Sequence, residues 1–215
     1  MTYAQVGELI VGAYLRVINE CTFVSYNQQS IEQGKALDID ILGIESTKDG
    51  QVIFACIVST HLHGTHYSGT PTTDKWNDYG NDAYQYTLER IWKTFRDDYN
   101  QITTMFPNAD QYMFQFWSPI VPVGLLTTGL EDLKQQFEQN YGGQIDLVIN
   151  EEYTQRIREL QHQAARTKQR YGEPAFRLLQ ILEHIRDHTP DQEIPSEESD
   201  KTTEKEQTYY SVQDF

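Results

Sequence analysis

The chain has 215 residues, of which 38% are hydrophobic and 23% charged, so one globular domain with an appendage is expected and a fully disordered chain or coiled coil is not. Its 17 lysines and arginines against 32 aspartates and glutamates give a net charge of −15, which opposes sequence-independent binding to nucleic acid. Two cysteines, no secretory signal and no apolar run long enough to cross a bilayer predict a cytoplasmic protein without a membrane span.

Hydrophobic periodicity and turn residues predict ten elements in the order α-β-β-β-α-β-α-β-α-α. They are a helix over 2–20 with Thr2 as N-cap, strands over 22–26, 37–44 and 52–58, a helix over 81–99, a strand over 112–117, a helix that ends at Gly142-Gly143, a strand over 145–149, and helices over 152–171 and 174–186. This order predicts a single α/β domain over 1–186, with a mixed sheet and helices on its faces.

The second and third strands are predicted to pair as an antiparallel hairpin. Residues 45–50 lie between them and contain Asp49-Gly50, which is a turn signal. The third strand is apolar without interruption, so we expect it at the centre of the sheet, covered on both faces. The hairpin prediction covers 37–44 and 50–59.

Residues 187–215 are predicted to be a disordered acidic tail. They hold nine acidic residues and two lysines, which leaves a charge of −8 for residues 1–186. Almost nothing in them is apolar before the last seven positions, so burial cannot offset the entropy of ordering them. Two interpretations stay open: a solvated extension, or a short protein-docking motif made of Tyr209, Tyr210, Val212 and Phe215.

Two carboxylates are expected on one face of the second strand. Side chains alternate along a strand, so Asp38 and Asp40 point to the same side. An unpaired buried aspartate would cost several kcal/mol, so we expect both to be exposed, paired or bound to a cation. A solvated strand end is the simpler interpretation.

The order α-β-β-β-α-β, with Glu8 in the first helix, Asp40 in the second strand and a central apolar third strand, resembles the PD-(D/E)XK nuclease superfamily over residues 6–117. The stretches CIVSTHLHG at 56–64, FWSPIVPVG at 116–124 and RLLQILEHIR at 177–186 are similar to a bacterial branch of that superfamily. The resemblance implies a restriction-endonuclease-like fold with an αβββαβ core and extra C-terminal helices.

In that superfamily the second-strand Asp and an acidic residue of the third strand bind Mg²⁺ or Mn²⁺, a Lys two positions later assists the attacking water, and the helix Glu supports the metal. Carried onto this chain, Glu8 and Asp40 match, while Ile57 and Ser59 stand at the acid and lysine positions. The third-strand motif is therefore degenerate. The resemblance implies Glu8, Asp40, Ser59 and His61 as catalytic candidates, and Asp38, Asp40 and the Ile57 carbonyl as metal ligands.

Glu8 has two interpretations from the residues alone. On a helical wheel it lies at the edge of a polar arc, which fits an ordinary glutamate at the solvent edge as well as a site carboxylate.

His61, His63 and His66 form the densest histidine group of the chain, and imidazole is a common ligand of transition metals. A zinc site is one interpretation, although no cysteine or carboxylate stands at a recognised ligand spacing. The other is that His61 is an active-site side chain at the end of the third strand.

Basic residues concentrate between 156 and 177. This segment contains six basic residues and two glutamates, so its local charge is +4. They could hold phosphates, or they could form a solvated helix face that pairs with the acidic surface or tail. Candidate nucleic-acid contacts are Lys75, Arg166, Lys168 and Arg170, and Arg90, Lys93 and Arg96 could face the same substrate.

Phosphate-binding glycine loops, nucleophile elbows, CxxC pairs and HExxH motifs do not occur, which disfavours nucleotide hydrolases, serine hydrolases, zinc fingers and zincins. The expected function is a nuclease-like protein whose metal-dependent cleavage of DNA is weak or lost, retained for binding DNA or, through the acidic tail, another protein. The alternative is an active Mg²⁺- or Mn²⁺-dependent DNA endonuclease in phage defence or DNA processing that uses Asp40 and Glu8.

Overall fold

The computed structural model describes residues 4–27, 39–48, 50–62, 64 and 67–188. These residues form an α/β structure with five α-helices and one five-stranded sheet, in the predicted order of elements. The helices are α1 (Val6–Val17), α2 (Asp82–Met105), α3 (Leu125–Tyr141), α4 (Asn150–Arg166) and α5 (Pro174–His188), and a 3₁₀ turn (Asp74–Trp76) precedes α2. The strands are β1 (Phe23–Tyr26), β2 (Ile41–Thr47), β3 (Gly50–Val58), β4 (Gln111–Ser118) and β5 (Gln144–Ile149).

The sheet is mixed and open, with strand order β1-β2-β3-β4-β5. β1, β2 and β3 pair antiparallel, whereas β3 with β4 and β4 with β5 pair parallel. The predicted hairpin is confirmed, since β2 pairs with β3 from Ile41 opposite Cys56 to Thr47 opposite Gly50. β2 begins at Ile41, and residues 37 and 38 of the predicted strand lie outside the described residues.

β3 lies at the centre of the sheet and is covered on both faces, as its apolar run predicts. Its odd residues Ile53, Ala55 and Ile57 pack in the core beneath α2 and α3. Its even residues Phe54 and Cys56 pack in the core beneath α1, α4 and α5. Because each face of the strand is buried, every position from 52 to 58 is apolar, and the alternation typical of a half-exposed strand is absent.

Several element boundaries differ from the predicted ones. α1 begins at Val6 after the N-cap Gln5, so the predicted Thr2 cap is wrong for this helix. α4 ends at Arg166 rather than 171, because Thr167 is extended and the loop after it is bonded to α5 instead. There the Gln180 amide donates to the carbonyls of Thr167, at 2.6 Å, and Gln169, at 3.0 Å.

α5 continues to His188, two residues past the predicted end of the domain. The remaining residues 189–215 of the predicted acidic tail lie outside the described residues. Among the described helices, none combines the length and apolar character that a membrane span requires.

Candidate functional site

A polar cavity of about 340 Å³ lies where β3 ends and β2 begins. Its walls come from the N-terminal end of α1, the β2–β3 end of the sheet and one side of α2. The lining residues are Gln5, Asp40, Ile57, Val58, Ser59, Thr60, His61, Tyr67, Arg90, Ile91 and Thr94. The carboxyl ends of parallel strands are where open α/β sheets bind ligands, and β3 is one of the parallel strands here.

Asp40 is fixed against the last residues of β3. Its Oδ2 accepts a hydrogen bond from the Val58 backbone N–H at 2.6 Å, and its own N–H donates to the Cys56 carbonyl at 2.9 Å. Asp40 lies one residue before β2, and both Asp40 and Ile57 line the cavity.

Ile57, Ser59 and His61 line the same cavity as Asp40, at the end of β3 and directly after it. Ile57 is 5% exposed and Ser59 4% exposed, whereas His61 is exposed. The Ser59 N–H donates to the Trp117 carbonyl at 2.8 Å and thereby ties the residue to β4. Its hydroxyl is buried and has no hydrogen-bond partner among the described residues, so it can donate to a ligand in the cavity.

Glu8 is 5% exposed, so its interpretation as a solvent-edge glutamate is wrong. Its Oε2 accepts from the Gln5 backbone N–H at 3.1 Å and from the Asn27 side-chain amide at 3.0 Å. Asn27 has a positive φ of 49°, which asparagine tolerates better than most residues, and its own N–H donates to the Asp40 carbonyl at 2.8 Å. Asn27 therefore links Glu8 to Asp40, while Glu8 itself lies behind the lining residues.

A close approach of α1 to the strand end closes one side of the cavity. Gly7 lies against Thr60, and a Cβ at position 7 would overlap the Thr60 side chain. Glycine is required here because it alone lets the helix backbone come this near to the residues that follow β3.

α2 supplies the opposite wall, and sequence reasoning captured it only in part. Arg90, a basic residue expected to face a substrate, lines the cavity with its guanidinium carbon 4.4 Å from the centre of the Tyr67 ring. Tyr67 is held to α2 because its N–H donates to the Thr87 hydroxyl at 2.9 Å. Thr94, Tyr67 and Gln5 were missed; for Thr94 the available signal is a polar residue four positions after Arg90, on the same side of the helix.

The predicted nucleic-acid contacts do not converge on this cavity. Arg166 ends α4, and Lys168 and Arg170 lie in the loop that follows, all three exposed. Lys75 instead lies over aromatic rings, with its Nζ 3.2 Å from the centre of the Trp92 ring. Burial, together with the nearby Arg96, lowers the pKa of Lys75 to about 8.

Arg156, the first cation of the basic segment, is already paired. Its guanidinium donates to Asp146 at 2.9 Å and to Glu152 at 2.7 Å, and it lies near the Tyr14 ring. Despite its burial, the hydrogen bond that Arg156 donates to Glu152 and the neighbouring negative charges raise the pKa of Arg156 above its usual range. For this residue the structure therefore agrees with the interpretation of a cation paired with the protein's own acids.

The predicted metal and histidine groups are only partly described. Asp38, His63 and His66 lie outside the described residues. Within the described ranges no cluster of three or more His, Cys, Asp or Glu side chains could hold a metal ion. Of the predicted metal ligands, Asp40 contributes a carboxylate to the cavity and Ile57 an aliphatic side chain.

Comparison with known proteins gave no match. No protein-family model matches this chain, and no curated protein or solved structure is significantly similar to it.

Proposed function

We propose that this chain is a nuclease-like binding protein with the restriction-endonuclease-like fold, in which metal-dependent cleavage is weak or lost. It binds its ligand through hydrogen bonds at the Asp40 cavity and does not hydrolyse it. DNA is the first ligand to test, since it is the substrate class that the resemblance implies.

The order and pairing of the elements support the fold half of this proposal. The helix α1, the antiparallel strands β1 to β3, the helix α2 and the parallel strand β4 follow one another as in an αβββαβ core. The cavity at the end of the central strand β3 is the region where the resemblance expects the site.

The observation that carries the proposed loss of cleavage is the aliphatic side chain of Ile57 beside Asp40. Hydrolysis of a phosphodiester by a divalent metal needs a second carboxylate to hold the metal. Among the described lining residues Asp40 is the one carboxylate, and Ile57 stands where the resemblance expects the second. This donor set does not fit Mg²⁺ or Mn²⁺, and we derive no step through a metal.

The cavity does fit a ligand that accepts hydrogen bonds. The guanidinium of Arg90 and the buried hydroxyl of Ser59 are donors, and His61 adds an imidazole. A phosphate or carboxylate oxygen suits these donors. Asp40 and the net charge of −15 oppose an anion, so the expected affinity is low and falls with added salt.

The test is incubation of the full chain with labelled single- and double-stranded DNA and RNA, with Mg²⁺, Mn²⁺ or EDTA. Both cleavage and binding by fluorescence anisotropy are recorded. We expect binding without cleavage, independent of the metal, and weakened by Arg90→Met. Lys93→Met is the matched surface control on α2, because Lys93 is an exposed cation that lies outside the cavity lining.

Cleavage that needs Mg²⁺ or Mn²⁺ and disappears in Asp40→Ala would replace this proposal by the active endonuclease. Isothermal titration with Mn²⁺ adds a second measurement: the double variant Ile57→Glu/Ser59→Lys should bind Mn²⁺ more tightly than the natural chain. Absence of both binding and cleavage with every nucleic acid would leave a protein partner as the ligand and would exclude DNA.

A further inference from the structure

The helix α5 has two apolar faces, and only one of them is buried against the domain. Phe176 is 1% exposed and packs in the core that α5 shares with α1 and α4. On the other side Leu178, Ile181, Leu182 and Ile185 are 56%, 44%, 51% and 55% exposed. Their i, i+3, i+4, i+7 spacing places them within an arc of about 100° on one side of the helix. We name these four residues the α5 stripe.

Single exposed apolar residues are common on protein surfaces, but a contiguous set of large ones is typical of a docking site. The α5 stripe contains only leucine and isoleucine, and each is about half exposed. An occupant with apolar side chains would remove this area from water.

Positive charge borders the α5 stripe. Arg177 and Arg186 lie on the two flanks of the stripe, about 40° outside it on each side. Both are exposed, and Arg186 also pairs with Glu183 of the same helix. The occupant that fits is therefore an acidic segment with a few large apolar side chains.

This chain contains such a segment, joined directly to α5. Residues 189–215 follow His188 and carry eight acidic residues against two lysines. Apart from Ile194, their large apolar and aromatic side chains stand together at the end: Tyr209, Tyr210, Val212 and Phe215. A second copy of the chain fits less well, because each copy carries −15 and the two would repel.

We propose that residues 209–215 dock on the α5 stripe of the same chain, with the acidic residues before them next to the arginines that border it. Twenty residues separate His188 from Tyr209. They can span up to about 70 Å, far more than the roughly 15 Å from His188 back to Leu178 along the helix. Because the two partners share one chain, docking is intramolecular and needs little intrinsic affinity. This inference does not depend on the proposed function of the cavity.

The test places the photo-crosslinking residue p-benzoylphenylalanine at position 210 of the full chain. A mixture of ¹⁴N- and ¹⁵N-labelled protein is irradiated at low micromolar concentration, and crosslinked peptides are mapped by mass spectrometry. We expect crosslinks between position 210 and residues 178–185 in peptides of a single label. Leu182→Glu should lower their yield about tenfold, because it places a charge where a leucine is buried by docking.

Leu62→Glu is the matched control, since Leu62 is also an exposed leucine, at 73%, and lies outside α5. It should leave the yield unchanged, and circular dichroism verifies that both variants are folded. Mixed-label crosslinks would overturn the proposal in favour of a second copy. An unchanged yield in Leu182→Glu, or crosslinks that fall only outside α5, would also overturn it.

Discussion

The cavity at Asp40 and the cluster around Arg156 differ in whether their polar groups are paired within the described structure. In the cluster, the Arg156 guanidinium pairs with Asp146 and Glu152, and the Tyr14 hydroxyl donates to Glu159 at 2.7 Å. In the cavity, the Ser59 hydroxyl is buried without a partner in the described structure, and Arg90 lines an open space.

The difference separates polar groups that hold the fold from groups that can bind a ligand. In the cluster each named charge is paired with a residue of the chain itself, so removing Arg156 leaves two carboxylates, 29% and 41% exposed, without their cation. In the cavity the Ser59 hydroxyl is removed from water without gaining a hydrogen bond in the described structure, which lowers the stability of the ligand-free protein. A ligand that accepts a hydrogen bond from this hydroxyl would recover that free energy. Substitutions in the two regions, and one at the separate Tyr26–Glu173 hydrogen bond, test this contrast in decreasing order of expected effect.

Arg156→Met should destabilise the protein by about 2–3 kcal/mol, because it leaves the partly buried carboxylates of Asp146 and Glu152 without their cation. The free energy of unfolding from urea titrations measures this. The control Arg158→Met changes an exposed arginine of the same helix and should cost less than about 0.5 kcal/mol. Equal effects of the two substitutions would show that the cluster has no special structural role.

Asp40→Ala should cost about 1–2 kcal/mol, because the Val58 N–H loses its acceptor at the end of β3. Asp40→Asn keeps an acceptor oxygen and should recover most of the loss. Urea unfolding of both variants provides the comparison. If Asn and Ala are equally destabilising, the charge of Asp40 rather than its hydrogen bond supports the strand end.

The pH dependence of stability should weaken in Tyr26→Phe. Burial first, and then the hydrogen bond of Tyr26 to Glu173, raise the pKa of Tyr26 above its usual range. The folded protein therefore keeps this proton above about pH 10, where the unfolded chain releases it, so stability is full below pH 10 and falls as pH rises.

Free energies of unfolding between pH 8 and 11 measure this effect. Above pH 10 the free energy of unfolding of the natural chain should fall more steeply with pH than that of Tyr26→Phe. The difference in slope corresponds to at most one proton released on unfolding. Parallel curves would contradict the assigned role of the Tyr26–Glu173 pair.

Ser59→Ala should have the smallest effect and the opposite sign. Removing a buried hydroxyl that has no partner among the described residues should stabilise the ligand-free protein by about 0.5–1 kcal/mol. Thr94→Ala is the matched control, because Thr94 lines the same cavity and has a partner; it should be destabilising. Destabilisation by Ser59→Ala would show that the hydroxyl is satisfied within the chain.

Much of the fold could be predicted because its signals are local. The order of all ten elements, the β2–β3 hairpin and the central β3 follow from periodicity, turn residues and one uninterrupted apolar run. The end of α4 could not be predicted, because the Gln180 side chain, thirteen residues later, satisfies the Thr167 carbonyl. A contact made across elements leaves no local signal.

The sequence by itself determined the α/β class, the strand pair that carries Asp40, and the absence of an acidic side chain at Ile57, because these depend on residue identity and short-range pattern. Only the tertiary structure decided that Glu8 is buried against Asn27, that Arg156 is paired, and that Arg90 lines the cavity. Each of these depends on the packing of helices against a sheet face. A helical wheel specifies which side chains share a side of the helix, but the partner that covers this side belongs to another part of the chain.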